Sequence, residues 1–302
     1  VLHYTSYRSH IKKRFGKPVL KIPVNGGFSC PNRDGTIGTQ GCLFCDNRSF
    51  SPVAETGAAV FDQVSLAMEK TGKGYDAFIA YFQPYSNTYG DATLLSSLYE
   101  PVIRHSGVVG LAVGTRPDCF TEEVYDYLQD VSERTYLSVE IGLQSGSDET
   151  LRFNNRGHTV DDFKRAVLEL FRRGIETVAH VMIGLPPETR DQTIQTAILL
   201  ASLPVTGIKI HQLMIIKDTP LENLYNQGKV SALTLEDYAD ILCDFLAHLR
   251  PDQHIHRIMA DASVSNGLVA PLWSADKGRS INYIHEVMDK VGLVQGSAFR
   301  KK

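Results

Sequence analysis

The sequence predicts an α/β chain built on a partial parallel (β/α)6-type barrel, with extensions at both ends. Short apolar runs alternate with helical patterns along the chain, which implies parallel pairing through right-handed crossovers. Several of those runs also alternate apolar and polar side chains, as barrel strands with a polar interior would. Gly-x-Gly-x-x-Gly, the fingerprint of a doubly wound dinucleotide fold, is absent after the first strand.

Taken in order, the strands are expected at 19–24, 78–83, 108–115, 136–143, 178–183, 208–215 and 255–259. Helices are expected at 61–70, 93–105, 121–130, 163–171, 194–201, 233–249 and 281–291. Pro101 should kink the second helix or end its first part. Thr121 caps the third, and two glutamates follow it, where the helix dipole favours acids. The fourth is the clearest: Phe163, Ala166, Val167, Leu170 and Phe171 keep helical spacing between a Thr159 cap and Gly174. These elements divide the chain into a basic arm (1–18), the barrel core (19–215) and a C-terminal extension (216–302).

At 302 residues and 43% hydrophobic, the chain can bury a sizeable core as one large domain. No secretory leader pattern or membrane-length apolar run appears, so the expected setting is cytoplasmic, without a membrane partner. The net charge of −3 hides an asymmetry. Residues 1–33 contain no acid, but carry Arg8, Lys12, Lys13, Arg14, Lys17, Lys21 and Arg33, interleaved with Tyr4, Tyr7, Phe15 and Phe28. Such an arm fits a nucleic-acid contact and equally fits a solvated segment held by its aromatics. The chain also ends on Arg300-Lys301-Lys302.

Three of the five cysteines, Cys30, Cys42 and Cys45, lie in one loop with glycines at 35, 38 and 41. Thiolates select zinc, copper(I) or iron–sulfur clusters. Structural zinc wants four protein ligands, and no histidine falls between residues 11 and 104. Three thiolates with a fourth position open suit an iron–sulfur cluster with one reactive iron, with zinc as the alternative. Cys119 and Cys243 lack partners at ligand spacing and read as packed or free thiols.

Within the predicted strands, Glu140, Gly142 and Gln144 oppose Val139, Ile141 and Leu143. His180 and Met182 oppose Val181 and Ile183, and Lys209 and His211 oppose Ile208 and Ile210. Gln83 ends the second strand two places after Tyr81. An outer face covered by helices must be apolar, so the polar set points inward, toward the carboxyl-end mouth where such barrels keep their active sites. Each of these groups alone could be a satisfied core residue.

The cysteine loop feeding such a barrel resembles the radical S-adenosylmethionine (radical SAM) enzymes. Their usual signature is Cys-x3-Cys-x2-Cys; here eleven residues separate Cys30 from Cys42, while Cys42-Leu43-Phe44-Cys45 keeps the last pair. Widened first gaps occur in the branch containing the elongator-type tRNA-modifying subunits. Further matching phrases are Gly114-Thr115-Arg116-Pro117-Asp118, Gly142-Leu143-Gln144-Ser145, Asn155-Arg156-Gly157-His158 and Ile183-Gly184-Leu185-Pro186. With Phe82-Gln83-Pro84-Tyr85, Ser86-Asn87-Thr88 and Lys209-Ile210-His211, they resemble the bacterial YhcC/YtqA-type group over residues 4–290.

The resemblance implies that the three cysteines hold a [4Fe–4S] cluster whose fourth iron takes S-adenosylmethionine, yielding a 5′-deoxyadenosyl radical. It implies Phe44 beside the adenine, Gln144 on the ribose, Arg156 on the methionine carboxylate and His180 near the ribose. The Gly-Gly-Glu-type motif for the methionine amine is missing, and Gln83 with Ser86-Asn87-Thr88 stands in its place. Glu140 binds the cofactor or pairs with Lys209. Lys209 and His211 are the substrate-side candidates, Lys209 for an anionic group or for Glu140, and Asp118 is a further one. The expected function is radical chemistry on tRNA, at the C5 substituent of a wobble uridine such as carboxymethylaminomethyl trimmed to aminomethyl. The electron donor would be a flavodoxin or ferredoxin. The alternatives are a small-molecule or cofactor-precursor substrate, or a zinc-bound nucleic-acid-binding protein.

Overall fold

A computed structural model of the chain describes residues 3–46, 49, 51, 53–54, 56–71 and 74–300. Lys301 and Lys302 of the basic carboxyl end lie outside them. The strands β1 (Leu20–Val24), β2 (Phe78–Phe82), β3 (Val108–Thr115), β4 (Tyr136–Gln144), β5 (Glu176–Ile183), β6 (Gly207–Gln212) and β8 (His254–Arg257) form one sheet in that order. Every neighbouring pair is parallel.

The sheet curls. Lys209 on β6 donates to the Tyr81 hydroxyl on β2 at 3.0 Å, although four strand spacings separate them. In a flat sheet that distance would be about 19 Å. The result is the expected partial barrel, a curled half-barrel of seven parallel strands.

Alternation builds both faces. Ile22, Val24, Val139, Ile141, Leu143, Val181, Ile183, Ile208 and Ile210 point outward into the main apolar core under the helices. Those helices are α2 (Val60–Thr71), α3 (Ala92–Ile103), α4 (Glu122–Arg134), α6 (Val160–Arg172), α7 (Arg190–Ser202) and α9 (Leu235–His248). The Thr121 and Thr159 caps form as expected, each accepting from a backbone N–H three residues on. α3 runs through Pro101 to Ile103, so the proline does not end it.

Some elements depart from expectation. The sixth strand stops at Gln212, and β7 (Ile215–Ile216) turns away to pair antiparallel with β9 (Leu268–Ala270). Short helices α5 (Asp148–Phe153) and α8 (Pro220–Asn226) sit where no helix was expected, too brief to show an apolar period. The basic arm is neither free nor merely solvated. Residues Tyr7–Phe15 form α1, capped by Ser6 and ended by Gly16 at φ 69°. Ile11 packs against Ile79, Tyr81, Ala112 and Tyr136, and the Ile255 amide donates to Thr5 O at 2.7 Å. Because α1 meets Tyr136, Glu176 and His254 at the first residues of β4, β5 and β8, it plugs the amino-terminal end of the half-barrel. No helix among the described residues is long and apolar enough to cross a membrane.

Candidate active site

At the opposite end, the cysteine loop folds over the carboxyl ends of the strands. It is tied down by backbone bonds from Arg33 N and Asp34 N to Cys30 O, from Gly41 N to Asn32 O and from Cys45 N to Cys42 O. The segment after α5 holds it from the barrel side. Leu43 N donates to Asn154 O at 3.1 Å, the Asn155 side chain donates to Gly41 O at 2.6 Å, and Asn32 Nδ2 donates to Asn155 O at 2.6 Å.

Arg156 sits at the centre of this junction, buried. Its Nη1 reaches Cys42 Sγ at 3.4 Å and its Nη2 donates to Gly142 O at 2.8 Å. Gly142 is required by that approach, since a Cβ there would lie 2.5 Å from Arg156 Nη2. Behind it, Arg116 donates to Arg156 O at 2.8 Å and forks onto the Asp118 carboxylate at 2.7 and 2.9 Å. His158 Nε2 also contacts Gly142 O, at 3.1 Å. Three of the sequence phrases therefore form one bonded network with the cysteine loop.

Cys30, Cys42, Cys45, Phe44, Gln83, Glu140, Gln144, Arg156, His180, Lys209 and His211 all line a single cavity. Asp118 does not; its carboxylate is spent on Arg116. Gln144 reaches the cavity from a left-handed backbone, φ 73°, at the end of β4. Phe44 is buried beside Met182, Leu185 and Leu213.

The deep end is charged. Glu140, fully buried, receives Lys209 at 2.8 Å, His180 Nε2 at 2.7 Å and a close contact from Lys21. Burial opposes its ionisation, but Lys209 and Lys21 outweigh that and hold the carboxyl well below its usual range. Burial, reinforced by Lys209, pushes His180 down to about 4. Burial and the nearby Arg257 charge push His211 well below the usual imidazole range, so both rings stay neutral. Lys21 and Arg257 were not singled out from the sequence. Lys21 occupies the inward phase of β1, opposite Ile22 and Val24, and that alternation was a usable signal. Arg257 follows a register shift between β6 and β8, which breaks the phase.

The cysteine arrangement can be tested against its expected group. Burial and the neighbouring Cys42 push the Cys45 thiol up to about 11, so its ionisation calls for a cationic centre beside it. Among the described residues only His10, Glu176 and His254 bring three ligand-type atoms within 4.8 Å of one another. The three cysteine sulfurs do not all lie within that distance of one another, a spread that suits separate irons of a cluster better than one tetrahedral zinc ion. Arg33 donates to Cys45 O and runs alongside Gly41, where a Cβ would meet its Nε at 2.9 Å. The donor set fits the cluster.

Comparison with known proteins agrees. A model of the radical SAM superfamily matches residues 33–200, and one of the radical SAM C-terminal domain matches residues 205–290. YtqA of Bacillus subtilis (strain 168) is 36% identical over 302 residues, covering 99% of this chain and 93% of that protein. Elongator complex protein 3 of Saccharomyces cerevisiae (strain ATCC 204508 / S288c) is 30% identical over 160 residues, 51% of this chain and 28% of its own length. Among solved structures, Elp3 from the archaeon Methanocaldococcus infernus superposes with a TM-score of 0.68 at 18% identity, covering 92% of this chain and 64% of that one. That likeness shows the shared fold.

Proposed function

This chain belongs to the radical SAM superfamily and is an enzyme using a [4Fe–4S] cluster and S-adenosylmethionine; we propose that it acts on the C5 side chain of a tRNA wobble uridine, trimming carboxymethylaminomethyl to aminomethyl, with S-adenosylmethionine as the two-electron oxidant (leaving methionine and 5′-deoxyadenosine) and water releasing the two-carbon acid as glyoxylate. When bound and reduced, the cluster and S-adenosylmethionine supply a 5′-deoxyadenosyl radical able to abstract an unactivated hydrogen. Reduction requires an external electron donor, and a flavodoxin or ferredoxin would serve.

The observation that carries the reading is one cavity joining a cysteine-lined mouth to a cationic deep end. A substrate group entering past the cluster site meets the Arg257 guanidinium beside His211, with the Lys209–Glu140 pair alongside, a setting for a carboxylate. Kinship of the core with Elongator complex protein 3 agrees with the resemblance of the widened cysteine spacing to the elongator-type tRNA-modifying subunits, and that resemblance supports a tRNA substrate. In this reading Cys30, Cys42 and Cys45 hold the cluster, while Arg156, Gln144, Phe44, Gln83 and His180 position S-adenosylmethionine. Asp118 acts at one remove, by fixing Arg116 beneath Arg156.

Nucleoside mass spectrometry of tRNA from cells with and without the gene tests the substrate. Loss of the gene should accumulate the carboxymethylaminomethyl nucleoside and deplete its aminomethyl derivatives. An unchanged profile refutes the tRNA assignment and leaves the enzyme class intact.

One observation favours the second reading, a small carboxylate substrate. The basic helix α1 plugs the end of the half-barrel remote from the cysteine loop, so its charges do not line the mouth. Binding measured against salt separates the two, because phosphate contacts make affinity fall steeply as salt rises and a small carboxylate does not.

A further inference from the structure

Lys209 and Arg257 line the deep end of the cavity, with Lys21 reaching Glu140 from behind, and their partners differ. Lys209 donates to Glu140 at 2.8 Å and to Tyr81 at 3.0 Å, and Lys21 also pairs with Glu140. Arg257, from the end of β8, lines the same cavity, yet no carboxylate pairs with it among the described residues. Its Nη2 rests against the His211 ring at 2.6 Å, and its Nε is buried with no hydrogen-bond partner. Asp261, which also lines the cavity, is engaged by Lys277 at 2.9 Å. A buried guanidinium stays charged and has five donors to satisfy, so leaving it without an anion is costly.

The sequence left open whether Lys209 serves an anionic substrate group or Glu140. Its geometry answers for Glu140. Glu140 is one negative charge shared by Lys21 and Lys209, so the deep end carries excess positive charge, and of its three cations only the guanidinium touches no carboxylate among the described residues. Its planar fork also matches a carboxylate better than an ammonium does.

We infer that Arg257 is the substrate's carboxylate receptor, with His211 setting the tilt of its guanidinium and Lys209 retained as a structural partner of Glu140. The inference rests on the reading of this cavity as the reaction chamber. It assigns a specificity role to a strand outside the core that carries the cysteine loop, and it defines the substrate class as a carboxylate reaching the far wall of the half-barrel.

The test uses anaerobically prepared holoenzyme with tRNA bearing either the carboxymethylaminomethyl group or its methyl ester. Wild type should prefer the acid by about tenfold or more in kcat/KM, the scale of one charge-assisted hydrogen bond. R257M should lose that preference through a raised KM, whereas R257K, which keeps the charge without the fork, should retain part of it. Equal use of acid and ester by wild type, or an acid preference surviving in R257M, overturns the inference. If wild type turns over neither tRNA, the tRNA assignment fails and a second probe decides the subsite. Carbon-13 acetate, added to holoenzyme saturated with S-adenosylmethionine, should then broaden with wild type and stay sharp with R257M. Equal broadening in both proteins overturns the inference in that case.

Discussion

Glu140 Oε2 and Lys209 Nζ meet 2.8 Å apart across β4 and β6, inside the half-barrel and shielded from water. With Lys21 reaching the same carboxylate from β1, this contact laces strands from three parts of the sheet to one point. Removing one member of a buried pair leaves the other uncompensated, a loss of about 3–5 kcal/mol. E140Q should therefore lower unfolding stability on that scale, because two lysines lose their anion. K209M should be less damaging, since Lys21 and His180 still contact Glu140. Chemical denaturation of the two variants checks the order; a more stable E140Q would refute the pairing.

Much of this network was legible before the fold was known. The inward phase of β4, β5 and β6 follows from alternation alone, and it named Glu140, His180, Lys209 and His211. What alternation lacks is the curl of the sheet. Only when β6 swings round to β2 does Lys209 find Tyr81, and only then is its charge committed. The role of α1 was hidden for a related reason. Its apolar members, Tyr7, Ile11 and Phe15, repeat every fourth residue beneath a run of basic charge, so composition drew attention to the solvent face. The partners that bury Ile11 lie on β2, β3 and β4, well over sixty residues away in sequence.

The cysteines divide by environment. C30A, C42A and C45A should each abolish iron retention and the brown colour of anaerobically purified protein. C119A and C243A, whose side chains are buried away from the cavity lining, should keep both. Iron and sulfide analysis with visible absorption is sufficient. Full iron in C42A would remove that residue from the ligand set.

Gly142 offers a sharper test of Arg156. G142A adds a methyl group 2.5 Å from Arg156 Nη2 and 2.8 Å from Gln144 Nε2, displacing both groups assigned to S-adenosylmethionine. Binding of S-adenosylmethionine should weaken about tenfold or more, the equivalent of one charge-assisted hydrogen bond. Arg156 also touches Cys42 Sγ, but the backbone bonds that hold the cysteine loop do not involve Gly142, so iron content should persist. Unchanged affinity in G142A would separate Arg156 from cofactor binding.

Glu188 provides a pH-dependent prediction away from the chemistry. It accepts a 2.6 Å hydrogen bond from the Ser145 hydroxyl, and burial outweighs that contact and raises its carboxyl to about 7. In the unfolded chain the same group titrates near its ordinary value of 4.5. Between these two values the folded state holds the proton that the unfolded state has released. Stability linked to Glu188 is therefore fully present below pH 4.5 and is lost as pH rises through about 7. E188Q, which carries a permanent neutral isostere, should melt close to wild type at pH 5 and above it at pH 8. Parallel melting curves at pH 5, 6, 7 and 8 measure the divergence. A constant difference between the two proteins across that range would show that Glu188 keeps an ordinary carboxyl in the fold, and that the Ser145 contact, not burial, governs its charge.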